Sequence, residues 1–128
     1  MNGKVLLFDN DIGVLEGFRA LLEHTGLEVY TTSSLLDFHS LVAQHEPELI
    51  LVDVNMATLK GDELVSVARH RLNASTVVLF SGISRLRLAE LSHASGADGF
   101  LSKMDDADEI LKQVISWVEQ RQRLRGQA

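Results

Sequence analysis

The sequence predicts an α/β fold: a parallel sheet with helices on both faces. Three observations carry that prediction. Strand and helix signals alternate five times along the 128 residues. The central strand candidates are unbroken apolar runs, as strands buried on both sides require. No repeat, low-complexity segment or internal boundary interrupts the pattern, so residues 1–128 are expected to form one domain around one sheet. Crossovers between parallel strands should be right-handed.

The elements follow in order. Val5-Leu6-Leu7-Phe8 marks the first strand, over 4–8. Asp11 is placed to cap a helix whose stripe is Val14, Leu15, Phe18, Leu21 and Leu22, with Gly26 as its stop. Residues 28–31 alternate and read as a half-exposed second strand. Ser33 or Ser34 caps a second helix, with Leu35, Phe38, Leu41 and Val42 inward and Pro47 closing the connection. Leu49-Ile50-Leu51-Val52 is the third strand. Gly61 precedes a third helix with Leu64, Val67 and Ala68 inward. Residues 76–80 form the fourth strand, 85–95 a helix closed by Gly96, and 99–102 the fifth strand. The last helix runs from about 106 to 124 on Ile110, Leu111, Val114, Ile115 and Val118.

Composition narrows the function. Hydrophobic residues make up 45%, enough for a core. The absence of cysteine rules out disulfides and thiolate metal sites and is consistent with a reducing cytoplasm, where the chain is assigned. No apolar run spans a bilayer, and the N-terminus lacks a signal-peptide pattern. A net charge of -6 disfavours direct contact with nucleic acid or an anionic membrane. Arg121, Arg123 and Arg125 are the local exception. Residues 119–128 are read as a solvated helix end, where cations favour the dipole, in preference to a linker toward an output domain.

The chemistry gathers at strand ends. Asp53 ends the third run, Asp9-Asn10-Asp11 the first, Ser81 the fourth and Lys103 the fifth. In open parallel sheets that edge is where ligands bind. Carboxylates, a hydroxyl and an amine converging there fit a magnesium-assisted phosphoryl acceptor. Each residue also has a plainer reading. A strand-end Asp is often a helix cap, Asp9 could belong to a buried hydrogen-bond network, Ser81 could merely end a strand, and Phe100 is core in any case. The five histidines show no ligand spacing and are read as surface residues.

Taken together, Leu6-Leu7-Phe8-Asp9-Asn10-Asp11, Pro47 to Met56, Gly61, Val78-Leu79-Phe80-Ser81-Gly82 and Gly96 to Lys103 resemble the receiver domain of two-component response regulators. The resemblance runs from Lys4 to Val118. It implies a flavodoxin-like, doubly wound five-stranded sheet in the order 2-1-3-4-5. It implies that Asp53 is the phosphoacceptor and that Asp9, Asn10, Asp53 and the Asn55 carbonyl hold Mg2+. Lys103 and Ser81 would contact the phosphoryl group, and Ser81 and Phe100 would form a switch. The donor would be a sensor histidine kinase or phosphotransfer protein. A homodimer or output partner would use the face made by the helix over 85–95, the strand over 99–102 and the last helix. That face is expected to carry Arg85, Arg87, Glu90 and His93 opposite Asp108 and Lys112.

The chain also departs from the pattern. Asn10 stands where a second acid is usual, so magnesium should bind weakly. Ala57 and Met104 replace prolines, and the Lys103–Met104 bond is expected to be trans, because a non-proline cis bond costs about 3 kcal/mol. Two further readings compete with a phosphorylation-dependent switch. One is a degenerate receiver that binds partners without phosphorylation. The other is an enzyme on the same sheet. A flavin carrier would want a phosphate-binding loop after the first strand, and Asp9-Asn10-Asp11 is acidic there. A phosphatase would want an acid two residues after the nucleophile, where this chain has Asn55. The favoured expectation is a signalling domain rather than a turnover enzyme, standing alone or forming the first domain of a longer regulator.

Overall fold

A computed structural model describes residues 1–55 and 75–126. Five parallel strands form one sheet: β1 (Lys4–Phe8), β2 (Glu28–Thr32), β3 (Leu49–Val52), β4 (Thr76–Ser81) and β5 (Gly99–Ser102). Their order is β2-β1-β3-β4-β5, as expected. Four helices are described: α1 (Ile12–Leu22), α2 (Leu35–His45), α3 (Arg85–Ser95) and α4 (Ala107–Leu124). The helix expected around Leu64, Val67 and Ala68 lies outside the described residues, as do Met56, Ala57, Gly61 and His70.

The unbroken apolar runs are explained by two cores. Val5 and Leu7, Leu49 and Leu51, and Val78 and Phe80 point to one face, where Phe18 and Leu22 of α1 meet Ile110, Val114 and Val118 of α4. Leu6 and Phe8, Ile50 and Val52, and Val77 and Leu79 point to the other, against Phe38 and Val42 of α2 and Leu88 of α3. Successive strand residues alternate faces, so a strand covered on both sides must be apolar throughout. Phe8 and Phe38 stack at 4.9 Å across the second face. β2 is an edge strand and keeps a half-exposed pattern.

Helix ends follow local chemistry with some differences from expectation. The Asp11 carboxylate accepts from the Gly13 and Val14 amides and caps α1. That helix stops at Leu22, ahead of Gly26, which instead takes φ +86° in the turn into β2. Ser34, not Ser33, caps α2, and Glu46 at φ +46° ends it before Pro47 is reached. Ser84 caps α3, and Gly96 closes it in the left-handed conformation. Asp106 occupies the cap position of α4 without a side-chain cap bond.

The arginines at the C-terminal end are not simply solvated. Arg121 donates to Thr76 Oγ1 at 3.0 Å, and Arg125 donates to the Pro47 carbonyl at 3.1 Å. The last turn of α4 is therefore tied to the starts of β3 and β4, and Arg123 alone of the three stays exposed. Among the histidines, His24 and His93 are exposed, whereas His39 and His45 are half-buried. His45 stacks on Tyr30 at 4.1 Å. Among the described residues, no helix is long and apolar enough to cross a membrane.

Candidate functional site

The sheet order reverses between β1 and β3, and the two carboxylates sit just past the C-terminal ends of those strands. Phe8 and Val52 are partners in the β1–β3 register, so the next residues, Asp9 and Asp53, emerge at one level. The Asp53 amide donates to the Phe8 carbonyl at 2.9 Å, and the Asp9 amide to the Thr32 carbonyl at 3.1 Å. These bonds extend the ladders and fix both backbones. Both carboxylates are buried, Asp9 at 0% and Asp53 at 2% exposure.

Lys103 bridges them. Its Nζ lies 2.7 Å from Asp9 Oδ2 and 3.4 Å from Asp53 Oδ2. The approach to Asp9 Oδ2 is ionic, since this buried oxygen has no well-angled hydrogen bond. The remaining oxygens serve the loops: Asp9 Oδ1 accepts from the Asp11 amide at 2.9 Å, and Asp53 Oδ1 from the Asn55 amide at 3.1 Å. Burial pushes the Asp9 carboxyl above its ordinary range and the Asp53 charge adds to this, while Lys103 and the Asp11 amide pull it partly back.

Ser81 closes the third side. It ends β4, fully buried, opposite Ser102 in the β4–β5 register. The Lys103 amide donates to its carbonyl at 2.9 Å, so hydroxyl and ammonium are positioned from one ladder. Ser81 Oγ accepts from the Ile83 amide at 3.3 Å, which leaves its hydroxyl proton available to donate. Lys103–Met104 is trans, as expected of a non-proline bond; no cis peptide occurs among the described residues. The structure thus brings together Asp9, Asp53, Ser81 and Lys103. Asn10 and Asn55 lie exposed beside the two buried acids.

Phe100 stands further out, half-buried on the α3 face of the sheet. Its ring is covered by Arg85, whose guanidinium carbon lies 5.5 Å from the ring centroid. Arg85 and Arg87 are exposed on the polar side of α3, as the sequence suggested, and each is also paired there: Arg85 with Asp105 at 3.1 Å and Arg87 with Glu90 at 3.5 Å. No local signal could have paired Arg85 with a residue twenty positions away.

The donor set bears on magnesium. A buried carboxylate oxygen without a directed hydrogen bond, beside a second buried carboxylate, suits a hard cation that takes oxygen ligands. Among the described residues no group of three or more His, Cys, Asp or Glu is assembled for a metal, and position 10 beside Asp9 carries an amide. The residues fit the ion, with one charge fewer than a three-acid cluster would supply.

Comparison with known proteins agrees with this arrangement. The family model for the response regulator receiver domain matches residues 5–115. The transcriptional regulatory protein MctR of Rhizobium johnstonii is 32% identical over 113 residues, 87% of this chain and 53% of that protein. The cell cycle transcriptional regulator CtrA of Caulobacter vibrioides is 26% identical over 111 residues, 87% of this chain and 48% of that protein. The chain spans about half the length of these curated relatives. Among solved structures, the N-terminal signal receiver domain of a two-component response regulator from Bacteroides fragilis superposes with a TM-score of 0.84 at 24% identity, covering 92% of this chain and 98% of that one. A CheY-like receiver protein from Methanospirillum hungatei gives 0.84 at 20% identity, covering 96% and 98%. Those two likenesses speak to the fold, and the family match over nearly the whole sequence speaks to descent: the chain belongs to the response regulator receiver domain family.

Proposed function

We propose that Asp53 accepts a phosphoryl group from a histidine-bearing donor, a sensor histidine kinase or phosphotransfer protein, and that the chain acts as a phosphorylation-controlled switch. The observation that carries this reading is the Lys103 ammonium held between two buried strand-end carboxylates, at 2.7 and 3.4 Å. An Asp53 oxygen attacks phosphorus, the P–N bond breaks, and its electron pair stays on the imidazole nitrogen. The carboxylate is the nucleophile and needs no base. Asp9, Asp53, the Asn55 carbonyl and the Asn10 amide oxygen would hold Mg2+. When bound, that ion offsets charge between the acceptor and the incoming dianion. Lys103 supplies a mobile point charge for one phosphoryl oxygen, and the Ser81 hydroxyl donates to another.

The acceptor is consumed once per phosphoryl group, so this is a signalling domain rather than a turnover enzyme. Oxygen donors, the missing cysteines and the acidic balance suit a cytoplasmic setting. The named relatives are transcriptional regulators, and the match spans about half of each. By that likeness, phosphorylation would act on an output partner or a second copy through the face of α3, β5 and α4.

Incubation with acetyl phosphate and magnesium should raise the intact mass by one phosphoryl group, and Asp53→Asn should abolish the rise. Labelling that survives this substitution rules out Asp53 as the acceptor. A folded protein that takes no label from acetyl phosphate or any tested kinase favours the phosphorylation-independent binding module, which the amide of Asn10 also suits.

A further inference from the structure

Arg85 lies across the segments that carry the site. It opens α3, four residues past Ser81. Its Nη1 donates to both carboxylate oxygens of Asp105, at 3.1 and 3.3 Å. Asp105 sits in the turn after β5, two residues past Lys103, with its amide donating to the Ser102 carbonyl at 3.1 Å. The same guanidinium covers the Phe100 ring at 5.5 Å. One side chain thus spans the loop leaving Ser81 and the turn leaving Lys103, and caps the aromatic ring beside them.

We propose that Arg85 is a positioning residue, a latch that holds the Ser81 loop, the Lys103 turn and the Phe100 ring in the arrangement described above and opposes their rearrangement around a phosphoryl group. The inference rests on the acceptor role proposed for Asp53. On the switch proposed above, a phosphoryl group on Asp53 would draw the Ser81 hydroxyl toward it while Lys103 Nζ already lies 3.4 Å from Asp53 Oδ2, and Arg85 would keep both Asp105 and Phe100 only if the loop after Ser81 and the turn after Lys103 held their places. Both bonds to Asp105 come from Nη1, which leaves the rest of the planar guanidinium to cover the ring; a compact ammonium cannot do both at once. Partly exposed ion pairs and cation–π contacts are individually weak. A latch built from them biases a two-state equilibrium without holding the fold together.

Beryllofluoride, a phosphoryl mimic, tests this when titrated with excess magnesium into the full chain. Trp117 is the reporter: its indole packs against Gly99, the residue before Phe100. The fluorine resonance of the bound mimic gives the same constant if the indole is silent. Arg85→Ala should tighten apparent binding about two- to fivefold, the scale of one exposed pair plus one cation–π contact. Asp105→Asn should act in the same direction, and the double variant should show less than the sum. Arg85→Lys should fall between, because it keeps the charge and loses the planar group that reaches the carboxylate and the ring together. Added salt should narrow the gap between Arg85→Ala and the parent. Equal affinities, or additive effects of Arg85→Ala and Asp105→Asn, overturn the latch while leaving the acceptor reading intact. Failure of the folded parent to bind beryllofluoride at all overturns both.

Discussion

Asp9 carries its charge where the surroundings disfavour it. It is fully buried, it faces the Asp53 carboxylate, and Lys103 compensates only in part. Its pKa is raised from the ordinary 3.8, burial being the largest cause. A carboxyl with a raised folded pKa lends stability in its neutral form, below the unfolded value, and loses it as pH rises through the folded value. At neutral pH the ionised Asp9 therefore costs stability. Asp9→Asn should raise the melting temperature in magnesium-free buffer at pH 7, with a gain of roughly 1 kcal/mol, the usual scale of single substitutions. The difference from the parent should shrink as pH falls through the raised folded value, where native Asp9 gains its proton, and should be gone below the ordinary 3.8. A variant that melts lower at pH 7 would mean that the Lys103 contact outweighs the burial. The acid, hydroxyl and amine at this site were legible because each ends an apolar run, and a parallel sheet puts run ends on one edge. The Arg85–Asp105 pair was not legible, since it depends on how a helix start and a distant turn face each other.

Helices show the same division between what patterning reveals and what packing decides. In α3 the residues Leu86, Leu88 and Leu91 are all candidates for an inward face. The structure buries Leu88 completely, leaves Leu86 at 74% exposure and seats Leu91 at the edge of the core. Leu88→Ala should cost about 2–4 kcal/mol, through lost burial and the cavity left behind. Leu86→Ala should change stability by less than about 0.5 kcal/mol. Urea unfolding of both variants checks this, and comparable losses would mean that α3 is rotated from the orientation described. Element order, strand type and the caps at Asp11 and Gly96 could all be read from periodicity and turn chemistry. The C-terminal stop of α1 could not, because Gly26 marks the turn beyond the helix rather than the helix end itself. Nor could the role of Arg125, which reaches a carbonyl 78 positions earlier in the chain. Such a contact has no sequence signature, and a cationic helix end otherwise looks solvated.

At the scale of the whole molecule, the magnesium site proposed for the two buried acids at one sheet edge of this chain of net charge -6 would make the fold itself a reporter of the ion. A ligand that binds only the native state raises its stability in proportion to the logarithm of occupancy. The melting temperature should therefore climb with magnesium, and Asp9→Asn should lose most of that climb. Asn10 sets the concentration at which it begins. Its side chain is exposed beside buried Asp9, so a carboxylate there would add charge at a point that water partly screens. Asn10→Asp should tighten magnesium by about 1–2 kcal/mol, roughly tenfold, with the exposure favouring the lower end. The opposing effect is repulsion among three acids without the ion, which should lower the metal-free melting temperature. The two melting curves should then cross: the variant less stable without magnesium, more stable with it. Calorimetric titration gives the affinities directly. Equal affinity in both proteins would place Asn10 outside the ion's ligands. Asp11 could hardly replace it, because its Oδ1 already caps α1 through the Gly13 and Val14 amides. Water would then complete the shell, as magnesium readily allows. A weak site would in that case follow from having two buried carboxylates there among the described residues, rather than from the amide that replaced a third.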